Sequence, residues 1–449
     1  MPPPRPPTVF SVSTPKHERF RSTMLPEGYS PDKSWQKTRD PFSRIAYLVT
    51  YAVAFLGIVG GAIQCYFGYR NVPMMTGNLC PVLDESFDSE DGVFGPNGTF
   101  FREVDLSGFG TGEFDMATTS SNNSFVRDGH LYIMPTLTED VIGSSAVLNG
   151  YIYNVSDCTY NITHGSSYTS SSESTSDDAN EAQSSTFNEE AYLRACSAVS
   201  NTTAGTVINP VQSARLTTRY SAKIRYGKVE VRAKIPRGDW LWPAIWMLPT
   251  DSVYGSWPTS GEIDLMEARG NGPSYPAQGI NYVRGALNWG PLTWLNSVWR
   301  TYGWWTERRS NYSDDFHTYT LEWDEEFIRI SVDTRLHHLL VVKIDESFWN
   351  LGAYPAVVKN GSDTIALNNP WVNGTKAAPF DQDFYLILNV AVGGTTGWFP
   401  DGDGNKPWLD GSSTAMRDFT LAQDKWYGTW PQSDDRAMIV DSVKMWQQC

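Results

Sequence analysis

From Tyr226 to Ile235 polar and apolar residues alternate without a break. Lys228, Glu230, Arg232 and Lys234 fall on one side, and Val229, Val231, Ala233 and Ile235 on the other. Successive side chains of a strand point to opposite faces, so this pattern predicts a half-buried strand. Phe316–Trp323 and Phe327–Val332 flank the acidic turn Asp324-Glu325-Glu326 and predict a hairpin. Phe384–Val392 predicts a further strand, with Phe384, Leu386, Leu388, Val390 and Val392 on one face. No long amphipathic helical pattern follows residue 70, so the expected class is all-β, an antiparallel β-sandwich.

One stretch follows neither period. Ile45–Tyr69 runs for 25 residues without a charge, and about 20 apolar residues suffice to cross a bilayer. A single transmembrane signal-anchor helix is therefore expected over 44–70, meeting the lipid bilayer through residues 45–69. The stretch is too long, and too far from the start, for the apolar region of a signal peptide. Residues 1–44 carry eight Lys/Arg against four Asp/Glu, a bias that places this end in the cytosol. The expected topology is a single-pass type II membrane protein, with everything after residue 70 lumenal or extracellular, in the secretory pathway or at the plasma membrane. Residues 1–43, rich in Pro and charge, are expected to form a disordered cytosolic tail. The polar run at 166–185 is expected to be a disordered, Ser-rich insertion within a single domain spanning 71–449.

Glycosylation sequons and cysteines agree with that orientation. Asn97, Asn122, Asn154, Asn161, Asn201, Asn311, Asn360 and Asn373 each begin an Asn-x-Ser/Thr sequon, and none precedes the apolar stretch. Cys65 lies within the stretch, leaving Cys80, Cys158, Cys196 and Cys449, an even set suited to an oxidising compartment. Cys158 with Cys196 and Cys80 with Cys449 is the expected pairing, the other connectivities staying open. No cofactor and no metal is expected. The cysteines lack close metal-ligand spacing, and Asp401-Gly402-Asp403-Gly404-Asn405 lacks the Glu that completes a calcium loop, so it reads as a turn.

Charge narrows the partner. Lys and Arg total 35 against 50 Asp and Glu, a formal charge of -15, which disfavours nucleic acid. The 18 Trp and 22 Tyr supply flat faces that can stack on sugars or fill a β-core.

The densest candidate chemistry is Glu262-Ile263-Asp264-Leu265-Met266-Glu267. Glu262 and Asp264 share a face of a strand, whereas Glu267, five residues on, points the other way unless a β-bulge near Leu265-Met266 intervenes. With the bulge, three acids line one cleft. Retaining glycoside hydrolysis needs such a pair, a carboxylate nucleophile and a proton-donating carboxyl, and burial with like-charge repulsion keeps one of them protonated. A solvated strand face or a calcium site would also account for the local spacing.

Gly261–Glu267 resembles the E-x-D-x-x-E signature of glycoside hydrolase family sixteen, in its laminarinase-like and β-1,3-glucan-recognition branch. Tyr226–Pro236, Trp240–Pro249, and Asn389–Gly394 followed by Gly397–Asp401 extend the likeness. The resemblance implies a concanavalin-like β-jelly roll with an open cleft for β-glucan polysaccharide. It implies retention, with Glu262 as nucleophile, Asp264 as its assistant and Glu267 as general acid/base. Several members of the recognition branch have lost these acids; this chain keeps all three. Around them Trp240, Trp242, Trp246, Trp257, Asn288, Trp289, Asn389, Trp398 and Arg215 are the expected substrate-binding residues. Asn288 stands where many laminarinase-like members have His. The expected function is an endo-acting hydrolase of β-1,3-linked glucan. The alternatives are a transglycosylase resembling the type II fungal proteins of β-1,6-glucan assembly, or a glucan-binding receptor without catalysis.

Overall fold

The computed structural model describes residues 24, 26–34, 41–95, 97–160, 189–361 and 363–449. The expected insertion at 166–185 and most of the expected tail lie outside them. The chain divides into two compact units, Met1–Val72 and Pro73–Cys449.

In the first unit Ser43–Arg70 forms one helix, α1, of 28 residues with no buried side chain. At 1.5 Å per residue it is about 42 Å long, and it is long and apolar enough to cross a membrane.

The second unit is built on two eight-stranded sheets, antiparallel throughout. In chain order the first strands are β1 (Leu79–Glu85), β2 (Phe101–Glu103), β3 (Ser124–Arg127), β4 (His130–Ile133), β5 (Arg215–Thr217), β6 (Lys223–Ile224), β7 (Gly227–Lys234) and β8 (Leu241–Pro249). There follow β9 (Glu262–Glu267), β10 (Tyr282–Asn288), β11 (Tyr302–Thr306), β12 (His317–Trp323), β13 (Phe327–Val332), β14 (His338–Lys343), β15 (Phe384–Val392) and β16 (Met438–Gln448). One sheet has the order β14-β13-β12-β7-β16-β4-β3, with β1 also on β16. The other has the order β11-β10-β9-β8-β15-β5-β2, with β6 also on β15.

The predicted alternation explains how the sheets pack. In β7, Val229, Val231 and Ala233 are fully buried while the charged residues between them are half-exposed. The predicted hairpin is β12 paired with β13 around Asp324–Glu326. Residues from both sheets meet in one core, among them Val229, Val231, Leu321 and Ile330 from the first and Ile245, Met247, Ile263, Leu386 and Leu388 from the second. The face predicted for β15 is in that core, but the opposite face is buried too: Tyr385 and Ile387 pack with Leu248, Trp246 and Trp257 on the outer side of the second sheet.

Both expected disulfides are present, Cys80–Cys449 and Cys158–Cys196. The first fastens β1 to the end of β16, where the two strands already pair. The sequon residues Asn97, Asn122, Asn154, Asn201 and Asn373 are exposed; Asn161 lies outside the described residues.

Candidate active site

Alternation within β8 sorts its side chains. Leu241, Ile245 and Met247 enter the core, whereas Trp242, Ala244, Trp246 and Leu248 line a cavity of about 490 Å³ on the other face. β15 adds Asn389 and Ala391, β5 adds Arg215, and Trp257 comes from the loop before β9. Phe109, Thr111 and Glu113 arrive from a loop far earlier in the chain.

β9 brings Glu262, Asp264 and Glu267 to this same cavity, while Ile263, Leu265 and Met266 are fully buried in the core. The strand register supplies the reason. Ile245 of β8 faces Met266, yet the next residue, Trp246, faces Asp264, so Leu265 has no partner there. On the other side Ala286 faces Asp264 and Arg284 faces Glu267, leaving two residues of β9, Leu265 and Met266, against the single Gly285 of β10. One extra residue makes a β-bulge, which turns Glu267 back to the cleft side. Gly261 admits the chain to β9 with φ +84°, and a Cβ there would lie 3.0 Å from Phe380 Cε1, so this entry requires glycine.

Each acid has defined partners. Glu262 accepts hydrogen bonds from Trp257 Nε1 at 3.0 Å and from Asn288 Nδ2 at 2.7 Å. Asp264 accepts from the same Asn288 Nδ2 at 2.8 Å. Glu267 accepts from Trp242 Nε1 at 3.2 Å and lies 3.9 Å from Arg284 Nε. Burial, then the charge of Glu267, pushes the Glu262 carboxyl up to about 7, against the Trp257 bond and Arg215. Asp264 is pushed well above the usual carboxylate range by burial, then by Glu262 and Glu267 on either side. Both carboxyls are thus held against ionisation, Asp264 by burial and by the charges on either side of it, and a side-chain hydrogen bond links the two.

Four of the expected substrate-binding residues are placed differently. Trp240 is 2% exposed and packs edge-on against Tyr275, Phe399 and Trp408. Trp289 is fully buried, donates to Thr301 Oγ1 and meets Phe348. Both are core residues; for Trp289 burial is allowed because its indole N–H finds an acceptor. Asn288 does not line the cavity: its amide nitrogen is spent on Glu262 and Asp264, and its Oδ1 accepts from Asn296 Nδ2. It positions the acids. Trp398 stacks at 5.1 Å on Trp242 rather than lining the cavity itself. Trp242, Trp246, Trp257, Asn389 and Arg215 do line it, with Trp246 Nε1 bonded to Asn389 Oδ1 at 2.8 Å.

A second acidic group adjoins the cleft and was not foreseen. Glu103, Asp105, Glu113 and Asp115 are buried near Arg215, whose Nε lies 2.7 Å from Glu103. Burial is the largest cause that pushes Asp105 up to about 6 and Glu113 up to about 7. Glu103 and Asp115 are also raised, again first by burial. These acids are scattered through irregular sequence around short strands, and nothing in their spacing announces that they converge. Asp401, in the predicted turn, pairs with Lys406 Nζ at 2.6 Å.

Residues 169–360 match the family described as Glycosyl hydrolases family 16. A beta-1,3-glucan-binding protein of Penaeus monodon is 38% identical over 379 residues, 82% of this chain and 90% of that protein. A glucan endo-1,3-beta-glucosidase A1 of Niallia circulans is 38% identical over 183 residues, 40% of this chain and 22% of that enzyme. The chain thus spans nearly all of the first but about a fifth of the second. The solved catalytic domain of an endo-1,3-beta-glucanase (laminarinase) from Thermotoga petrophila RKU-1 is 22% identical, with 83% of this chain and 99% of that domain covered and a TM-score of 0.48. The chain belongs to glycosyl hydrolases family 16.

Proposed function

We propose that this protein is a retaining endo-hydrolase of β-1,3-linked glucan, anchored through α1 as a type II membrane protein with its sandwich domain, 71–449, on the lumenal or extracellular side. The observation that carries the reading is the bulge in β9, which sets Glu262, Asp264 and Glu267 on one cleft. Family membership and the named activity of the Niallia circulans relative support it.

In this reading Glu262 attacks the anomeric carbon while Glu267 gives its proton to the departing glycosidic oxygen. Water, deprotonated by Glu267, then releases the sugar from Glu262. Asp264 holds the nucleophile by its donated proton, and Asn288 holds both. Because Asn288 favours the charged form of Glu262, Asn288→Ala should raise the pH below which kcat/KM falls. It should also lower kcat about tenfold, the loss of one or two hydrogen bonds to a charged group. A pH–rate profile of wild type and variant checks this; a lower kcat with an unmoved acidic limb would assign Asn288 a purely structural role.

The test of the function is the set of products that the full-length protein, purified in detergent, forms from laminarin. Shorter oligosaccharides are expected, and none from folded protein overturns the reading. The second reading, glucan binding without cleavage, is favoured by the name and extent of the Penaeus monodon relative, and that same result would support it.

A further inference from the structure

The register of the second sheet lays one row of side chains across the cleft face: Arg215, Asn389, Ala244, Glu267, Arg284 and Trp304, each directly opposite the next. Directly opposed residues share a face, so Trp304 of edge strand β11 lies in line with Glu267. It is two strands away, about 10 Å at the usual spacing. In the neighbouring row Asp264 faces Ala286, which faces Tyr302.

Most large aromatics of this face are covered, but these two are not. Tyr302 is 42% exposed and Trp304 48% exposed. Their rings lie side by side, 5.9 Å apart and 22° from parallel. Arg284 stands 5.0 Å over the Tyr302 ring, and its buried Nε, 3.9 Å from Glu267, makes no hydrogen bond. Two near-parallel, exposed aromatic faces suit the C–H faces of sugar rings, and the guanidinium of Arg284 braces the Tyr302 ring. The platform continues the cleft in the strand order beyond the acids, on the side away from the cavity formed by β8, β15 and β5.

We infer that Tyr302 and Trp304 form the acceptor-side subsite of the cleft, binding the glucan chain that leaves in the first step and the glucan hydroxyl donor that enters in the second. This inference rests on the proposed function. A glycosyl group bound to Glu262 must be held while its partner exchanges, so the enclosed half of the cleft suits the held sugar and the open platform the exchanging one. In the transfer step a hydroxyl of the acceptor glucan attacks the anomeric carbon. Its oxygen–carbon bond forms as the ester bond to Glu262 breaks, and Glu267 takes the hydroxyl proton. A filled platform displaces water in that step, so it favours transfer over hydrolysis.

The experiment incubates full-length protein with laminaripentaose as both donor and acceptor and measures the ratio of longer to shorter products by mass spectrometry. Trp304→Ala should lower that ratio about tenfold, the scale of one lost stacking contact, with Tyr302→Ala changing it in the same direction and Trp304→Phe restoring most of it. An unchanged ratio in both alanine variants overturns the inference, provided wild type turns over. A second readout separates the two proposals: calorimetry on Glu262→Gln protein with and without Trp304→Ala. If wild type cleaves nothing, the proposed activity fails, while weaker binding of laminaripentaose with unaltered binding of laminaribiose still upholds the platform. An equal loss for both sugars overturns it.

Discussion

Glu267→Gln should slow laminarin cleavage by about 10²–10⁴-fold, the usual value of a positioned proton donor, and Glu262→Gln should abolish it. The two losses differ in kind. Glutamine at 267 still accepts the Trp242 hydrogen bond seen at 3.2 Å but has no proton to give, so the deficit should shrink on an aryl glucoside whose leaving group needs none. Glutamine at 262 cannot form the ester, and no leaving group restores the rate. Comparing both variants on laminarin and on an aryl β-glucoside checks the assignment. Equal rescue of both, or of neither, would show that the roles are misassigned.

Arg215→Met should destabilise the sandwich by about 3–5 kcal/mol, the cost of stripping one partner from a buried ion pair. Against a net stability of about 5–15 kcal/mol this is severe. Arg215 and Glu103 are almost wholly buried, and Asp105, Glu113 and Asp115 feel the same guanidinium charge. Their raised carboxyls also set the sign of the pH dependence. An acid that is harder to ionise in the folded state binds protons the unfolded chain has released, so its contribution is complete below the usual carboxylate range. It is lost as pH rises through about 6 for Asp105 and about 7 for Glu113. Removing Arg215 raises these acids further, so the deficit of the variant should be smaller at pH 5 than at pH 8. Thermal unfolding followed by tryptophan fluorescence at both values checks it; a deficit independent of pH would mean that lost packing, not charge, is the cause.

What was legible in the sequence follows from what strand periodicity can carry. Alternation located β7, the β12–β13 hairpin and β15, and the five-residue spacing of Glu262 and Glu267 demanded a bulge at Leu265-Met266, where the register shifts. Tryptophan roles were less legible. Trp240 and Trp242, two apart, would share a face of a regular strand, yet Trp240 lies just before β8 with φ +69° and turns to the core while Trp242 faces the cleft. Asn288 read as a sugar-binding residue because spacing cannot show that its amide is aimed at two carboxylates across a strand pair. The Glu103–Arg215 cluster was invisible: its members come together only through strand pairings such as β2 with β5 across 112 residues.

The anomeric configuration of the first products from laminarin, followed by proton NMR before mutarotation, tests the central claim most directly. Two displacements at Glu262 predict that the β-anomer appears first. First formation of the α-anomer would contradict the assignment of Glu262 as a nucleophile.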